Sequence, residues 1–400
     1  MRLLRFAVEG ALLFDGGIAF LDLMATDRVG KQFRSEMTED VTKIGKTGSV
    51  YSLNVVGLTG VNASGKTTLL NLLRFVLAQL AGDYDMREFA LPQRRLGKLD
   101  EEIAIEAVFW HEGNFYLIES RLTRRPNDWP SAFPEAGDSF AYIDETIWVL
   151  SARRVNRAML ADSEEFKANA TVVLKRNDDS SMPDMARRFL NDKTSIATFI
   201  TNKVTVSVES PERALPAITM PVEVVQAFDG SVEKLVWDSD SQVFHLKFKN
   251  EPERIVGMDA AVAMLSRGTV YGAELVDHAI ETLRRGGYLI IDEIEESLNR
   301  SLVAVVVDLF ASPVTNPRGA QLVFSTHYPE LLDSVRRKDA VYVLVRNERW
   351  HTQVVKYADC VNRIENKKSA VINNNVIRGS MPRYPDVQAM RDYVRERVNG

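Results

Sequence analysis

The chain has 400 residues and a single cysteine, Cys360, so no disulfide framework within it is available and a reducing compartment is expected. No apolar run approaches the ~20 residues of a membrane-spanning helix. A cytoplasmic protein with no membrane partner is therefore the expectation. The opening MRLLRFAVEG carries two arginines but breaks at Glu9-Gly10 and again at Asp15-Gly16-Gly17, which suits two short strands and makes a poor signal peptide. Excess positive charge is also lacking. Lys and Arg number 50 against 55 Asp and Glu, a net charge of -5, so the protein is not coated in positive charge, although a local basic patch stays open. Basic clusters occur at Arg121-Arg124-Arg125, Arg153-Arg154-Arg157 and Arg336-Arg337-Lys338. They lack the interleaved aromatics of a single-strand nucleic-acid binder and read first as solvated faces. Internal repeats and sustained heptads are absent too, which removes a coiled-coil arm.

What the sequence does have is GVNASGKT, Gly60 to Thr67. An apolar run, Ser52 to Leu58, precedes it, and Thr68 to Leu80 follows with apolar residues at helical spacing. Strand, glycine-bounded loop, Lys-Thr and helix is the setting of a phosphate-binding loop. Glycines at 60 and 65 permit the tight turn that presents successive N–H groups to phosphate oxygens. The helix start adds partial positive charge. Gly60, Asn62, Ala63, Ser64, Gly65, Lys66, Thr67 and Thr68 are thus the candidate nucleotide contacts, with Lys66 reaching the β- and γ-phosphates and Thr67 ligating Mg²⁺.

Three further stretches fit that site. YLIIDE, Tyr288 to Glu293, is an apolar strand ending in two carboxylates. In P-loop ATPases the first of these, here Asp292, holds Mg²⁺, and the second, Glu293, polarises the attacking water. Glu295 and Glu296 read as solvated charge. LVFSTH places His327 at the end of the next buried strand. LSRGT, Leu265 to Thr269, opens a helix over Val270 to Arg285, and Ser266 and Gly268 make its start a second anion-binding N-terminus.

Elsewhere, Leu3 to Val8 and Ile18 to Met24 are expected as strands, and Glu102 to Trp110 with Phe115 to Arg121 as a hairpin turning at His111, a solvent-exposed turn residue. Thr146 to Leu174 and Pro183 to Asn202 are expected to be helical. Another hairpin turns at Asp238-Ser239-Asp240. A final helix spans Asp386 to Val398.

In order, GxNxSGKTT, LSRGT, IIDE and STH resemble the ABC-type ATPase heads, and among them the RecF/SMC-like and OLD/Abi-like group of AAA proteins. FAVEG followed by IAFLDLMATDRV is similar to the opening of Abi-type ATPases, a set rich in anti-phage systems. The resemblance implies an α/β P-loop fold, ABC-ATPase-like, with a mixed β-sheet core and an inserted mainly helical lobe. The nucleotide lobe would comprise residues 1–125 and 261–400, the insertion 126–260. The resemblance further implies ATP and Mg²⁺ as cofactors, His327 as a γ-phosphate sensor, and catalysis by Lys66, Glu293 and His327. Ser266 and Gly268 of one chain would close over ATP held by another, in a homodimer or larger assembly. Two departures stand out. Gln93 is only a possible Mg²⁺-contacting glutamine, and Asn299 replaces a frequent histidine. No nuclease constellation is visible, and the stretch after the last head strand is too short for a catalytic domain. A separate effector, a nuclease or toxin held by a regulatory ATPase in defence, is the first implication, with DNA a possible ligand. A RecF-like repair or recombination ATPase is the alternative, and a transporter nucleotide-binding subunit a weaker one.

Overall fold

Two six-stranded sheets organise the chain, and their residue patterns differ in kind. The computed structural model describes residues 1–29, 40–45, 48–81, 98–125, 139–151, 155–178, 180–182, 188, 190–201, 208–209, 215–296, 298–361 and 367–399.

In chain order, β1 (Arg2–Ala11) and β2 (Ile18–Asp22) form a hairpin, and β3 (Val41–Lys43) pairs with β4 (Tyr51–Leu53). Next, β5 (Val55–Gly60) runs through the phosphate loop into helix α1 (Lys66–Ala81). A meander follows, of β6 (Leu99–His111), β7 (Asn114–Arg125), β8 (Ser139–Ser151) and β9 (Thr171–Lys175). After β10 (Val208–Glu209) come β11 (Val232–Asp238), β12 (Val243–Phe248) and β13 (Arg254–Val256). Helix α2 (Arg267–Arg285) leads to β14 (Tyr288–Ile291), and helix α3 (Arg300–Ala311) to β15 (Gln321–Thr326). The chain then forms β16 (Val341–Arg346), β17 (Thr352–Lys356) and, last, helix α4 (Tyr384–Asn399).

The first sheet, in the order β2-β1-β6-β7-β8-β9, is antiparallel throughout. The second has the order β10-β14-β15-β5-β16-β17 and is parallel except for the β16–β17 hairpin. Its inner strands, VVGLTG, YLII and QLVFST, are buried at every position. Such unbroken apolar runs suit parallel strands covered on both faces. Helix α1 lies between the two sheets and contacts β1 on one side and β5, β14 and β15 on the other. It is apolar nearly all round, with Leu69, Leu70, Leu72, Leu73, Phe75 and Val76 buried, as a helix covered on all sides requires. One core runs from Phe6 through Leu72 to Phe324. The amide of Leu3 also ties the sheets together, donating to the Tyr288 hydroxyl at 2.7 Å. This is the α/β P-loop class expected from the sequence.

The helical reading of 126–260 needs correcting. Residues 146–151 belong to β8, which pairs with β7 along its length, and 171–175 form β9, so both extend the N-terminal sheet. Only short helices, Arg157–Ala161 and Ser163–Ala168, lie between them. The cause is Glu145. It is buried at an inward position of β8 and paired with Arg176 at 2.6 Å, with the Ser195 hydroxyl and the Ile196 amide also donating to it. Burial pushes its pKa up, and Arg176 and the hydrogen bonds oppose that shift. A carboxylate breaks the apolar alternation by which a strand is recognised, and its partner is remote in sequence. Residues 215–276 pack a core of their own, in which Phe244 and Leu246 of β12 meet Leu265, Val270 and Ala273.

Candidate nucleotide site

Because β5, β14 and β15 are parallel and in register, Ile291 opposite Phe324 and Thr326 opposite Thr59, the residues that follow them emerge at one edge. That edge is where ligands bind in open α/β sheets. β15 lies between the other two strands, so His327 leaves the sheet between the phosphate loop and the two carboxylates.

Gly60 takes φ 153°, and a Cβ there would lie 2.3 Å from the Leu344 carbonyl oxygen, so only glycine fits. At Gly65 φ is 96°, and a Cβ would come within 3.0 Å of Thr352 Oγ1. Between them Ala63 adopts a left-handed φ of 58°. Buried Lys66 opens α1 and folds back, its Nζ donating to Gly60 O at 2.9 Å and Val61 O at 3.3 Å. His327 Nδ1 is 3.5 Å away. Burial pushes the Lys66 pKa down, while Asp292, Glu293 and Glu295 hold it up. The ammonium is thus held away from bulk water, and its hydrogen bonds within the loop go to neutral carbonyls. A triphosphate would give it a charge-assisted hydrogen bond.

Thr67 Oγ1 donates to Asp292 Oδ2 at 2.5 Å, and the Ser325 hydroxyl donates to the other Asp292 oxygen. Ser325 Oγ also accepts from the Glu293 amide at 2.8 Å. Glu293 sits at φ 53°, a left-handed conformation rare outside glycine. Its Oε1 is 3.0 Å from His327 Nε2. No motif marks Ser325, although its hydroxyl stands directly before Thr326-His327 in the sequence. Sequence reasoning misread Glu295. That side chain is half-buried and accepts from the His327 amide at 2.7 Å, so it fixes the end of β15.

Leu13, the loop from Asn62 to Thr68, Glu293 and His327 together line a cavity of about 390 Å³. Beside it a groove of about 1540 Å³ runs past Gly60 to Ala63, Glu293, His327, Arg346 and the segment from Gly379 to Arg383. The phosphate loop, both carboxylates and the histidine are therefore brought together. Ser266 and Gly268 line neither space. Exposed Ser266 caps α2, its Oγ accepting from Thr269 N at 3.0 Å, and Gly268 is half-buried two residues on. Leu265, Val270 and Ala273 mount this helix start on the separate core of residues 215–276.

Asn299 is the N-cap of α3, its side chain accepting from Ser301 N at 3.0 Å, a role asparagine fills well. Asp238 does serve turn chemistry, accepting from the Asp240 amide at 2.9 Å. His111, expected in solvent, is instead buried at the end of β6, and burial pushes its pKa down. Of the basic clusters, Arg125 pairs with Asp192 at 2.6 Å, Arg337 with Asp339 at 2.7 Å and Arg336 with Asp308 at 3.3 Å. Gln93, Arg153 and Arg154 lie outside the described residues. Among the described residues no helix is long and apolar enough to cross a membrane.

No protein-family model and no curated protein matches this chain. Among solved structures it is similar to the SMC head domain from Thermotoga maritima, at 11% identity and a TM-score of 0.39, over 89% of this chain and 99% of that one.

Proposed function

We infer that the protein binds and hydrolyses ATP with Mg²⁺, and that it does so as one half of a site shared between two copies. The observation behind this is the convergence of Lys66, Thr67, Asp292, Glu293 and His327 at the ends of three parallel strands. Lys66 and the loop amides bind the triphosphate. Thr67 Oγ1 and Asp292 are adjacent hard oxygen donors, which suits Mg²⁺. Among the described residues no cluster of three or more His, Cys, Asp or Glu side chains could hold a metal unaided, so phosphate oxygens and water would complete the coordination. A bound Mg²⁺ would neutralise charge on the phosphates. Glu293 accepts a proton from the attacking water, and His327, between Lys66 and Glu293, contacts the γ-phosphate.

The start of α2 lies outside the cavity, which supports a shared site. Its capped N-terminus at Ser266 to Gly268 carries an anion-favouring dipole that this chain's own phosphate loop does not use. A second copy's ATP uses it. Nucleotide then biases two association states, and hydrolysis at Glu293 separates the copies. We take this switch to be cytoplasmic and to control a separate effector in anti-phage defence, as the resemblance of its phosphate loop, LSRGT, acidic strand and His327 suggests. The test is Mg²⁺-dependent ATP hydrolysis by purified protein, abolished in Glu293→Gln. An active Glu293→Gln protein would end the assignment.

A further inference from the structure

We propose that the β16–β17 hairpin is the outer clamp of the phosphate loop, with Arg346 and Thr352 as positioning residues that hold the loop open for phosphate. This rests on the nucleotide reading above and names residues no motif marks. The phosphate loop is short, and its own hydrogen bonds fix only part of it. Lys66 takes the carbonyls of Gly60 and Val61, and the Ser64 amide donates to Val61 O at 3.2 Å. The hairpin holds two more, the carbonyls of Ala63 and Ser64. Arg346 Nη2 donates to Ala63 O, and Thr352 Oγ1 donates to Ser64 O at 2.8 Å.

The consequence follows from peptide geometry. A trans peptide sets its C=O and N–H on opposite sides. Fixing Ser64 C=O toward Thr352 turns the Gly65 N–H the other way. Thr352 is buried behind the loop and lines neither the cavity nor the groove, so that other way is toward the cavity. Arg346 in turn secures the left-handed Ala63, a conformation disfavoured for any residue with a Cβ. Closeness has a second witness, because a Cβ on Gly65 would meet Thr352 Oγ1 at 3.0 Å.

The clamp is itself pre-set. Arg346 Nη1 donates to Trp350 O at 2.6 Å, bending the guanidinium back over its own turn. No carboxylate pairs with this guanidinium among the described residues, so it is not drawn elsewhere. The hairpin also reaches the other wall of the cavity. Asn347 and Gln353 each donate to Asp15 at 2.8 Å, and the Thr352 amide donates to the carbonyl of Leu13, a cavity residue. One hairpin therefore sets the distance between the loop and the β1–β2 turn.

Thr352→Val keeps the shape and removes the donor, and Arg346→Ala removes the other. Each is expected to weaken Mg·ATP by about tenfold, the scale of one net hydrogen bond plus the lost alignment of an amide. Inorganic tripolyphosphate, which has no base, should weaken by the same factor. Thr352→Ser should retain wild-type affinity and Arg346→Lys should recover only part, since a single ammonium nitrogen does not reproduce the two separate guanidinium nitrogens that hold Trp350 O and Ala63 O. Calorimetric titration of each folded variant reads this directly, and Thr352→Ser against Arg346→Ala carries the test if Thr352→Val does not fold. Variants with wild-type affinity, or a loss confined to ATP and not tripolyphosphate, overturn the clamp. A wild-type protein that binds neither ligand overturns the nucleotide reading instead.

Discussion

The two regions proposed to meet phosphate are built in opposite ways. At the edge of the parallel sheet, Lys66, Thr67, Asp292, Glu293, Ser325 and His327 already bond to one another, and Lys66, Thr67, Glu293 and His327 also line the cavity. On the 215–276 lobe, Ser266 to Gly268 form a capped helix start that does not line that cavity. In the first region the side chains that the proposed reading assigns to ATP and Mg²⁺ stand within hydrogen-bonding reach of one another. In the second, Ser266 and Gly268 line neither the cavity nor the groove beside it. On the proposed reading they are the two parts of one site divided between two copies.

The largest expected effect breaks the first region alone. Lys66→Ala removes the cation and leaves Asp292, Glu293 and Glu295 facing a triphosphate, so ATP affinity should fall by more than about a thousandfold. Unchanged affinity by calorimetry would contradict the site. Glu293→Gln keeps binding and removes the base, so hydrolysis should drop by about 10²–10⁴-fold while ATP-bound dimers accumulate in sedimentation velocity. Monomers under saturating ATP would count against the shared site. Gly268→Asp acts on the second region. An acid in the first turn favours the helix itself but opposes an incoming phosphate, so melting temperature should hold and single-chain ATP affinity should not change. Hydrolysis and dimerisation should fall about a hundredfold, from a few kcal/mol of like-charge contact. Loss of single-chain affinity in Gly268→Asp would erase the distinction between the regions.

The smallest effect is a pH dependence. Burial lowers the Lys66 pKa in the free protein, and bound phosphate favours the charged form, raising it. Affinity is then full below the free-protein pKa and declines as pH rises through the bound one. Binding should weaken before the ordinary lysine value of 10.5 is reached, and Lys66→Arg should flatten the curve. Alkaline-side titrations that stay flat for wild type would refute this.

The first region was more legible in sequence than the second, for a physical reason. Phosphate loops and acid-ended strands are local devices, so Lys66 and Asp292 stand beside the residues that present them. Helix α2 was readable because Ser266 and Gly286 mark its two ends. Pairing across distance was not readable. Glu145 hid a strand because Arg176 neutralises it from 31 residues away. Glu295 looked solvated until β15 brought the His327 amide to it. Arg346 and Thr352 are ordinary hairpin residues until the β5–β16 pairing sets Leu344 beside Gly60.

A mixing experiment tests the division most directly. Lys66→Ala and Gly268→Asp proteins should each be inactive alone. Combined, they form hybrids in which the intact phosphate loop of one copy meets the intact Ser266 to Gly268 of the other, and ATP hydrolysis should return. A mixture as inactive as its components, or a Gly268→Asp protein fully active alone, would contradict a site shared between two chains.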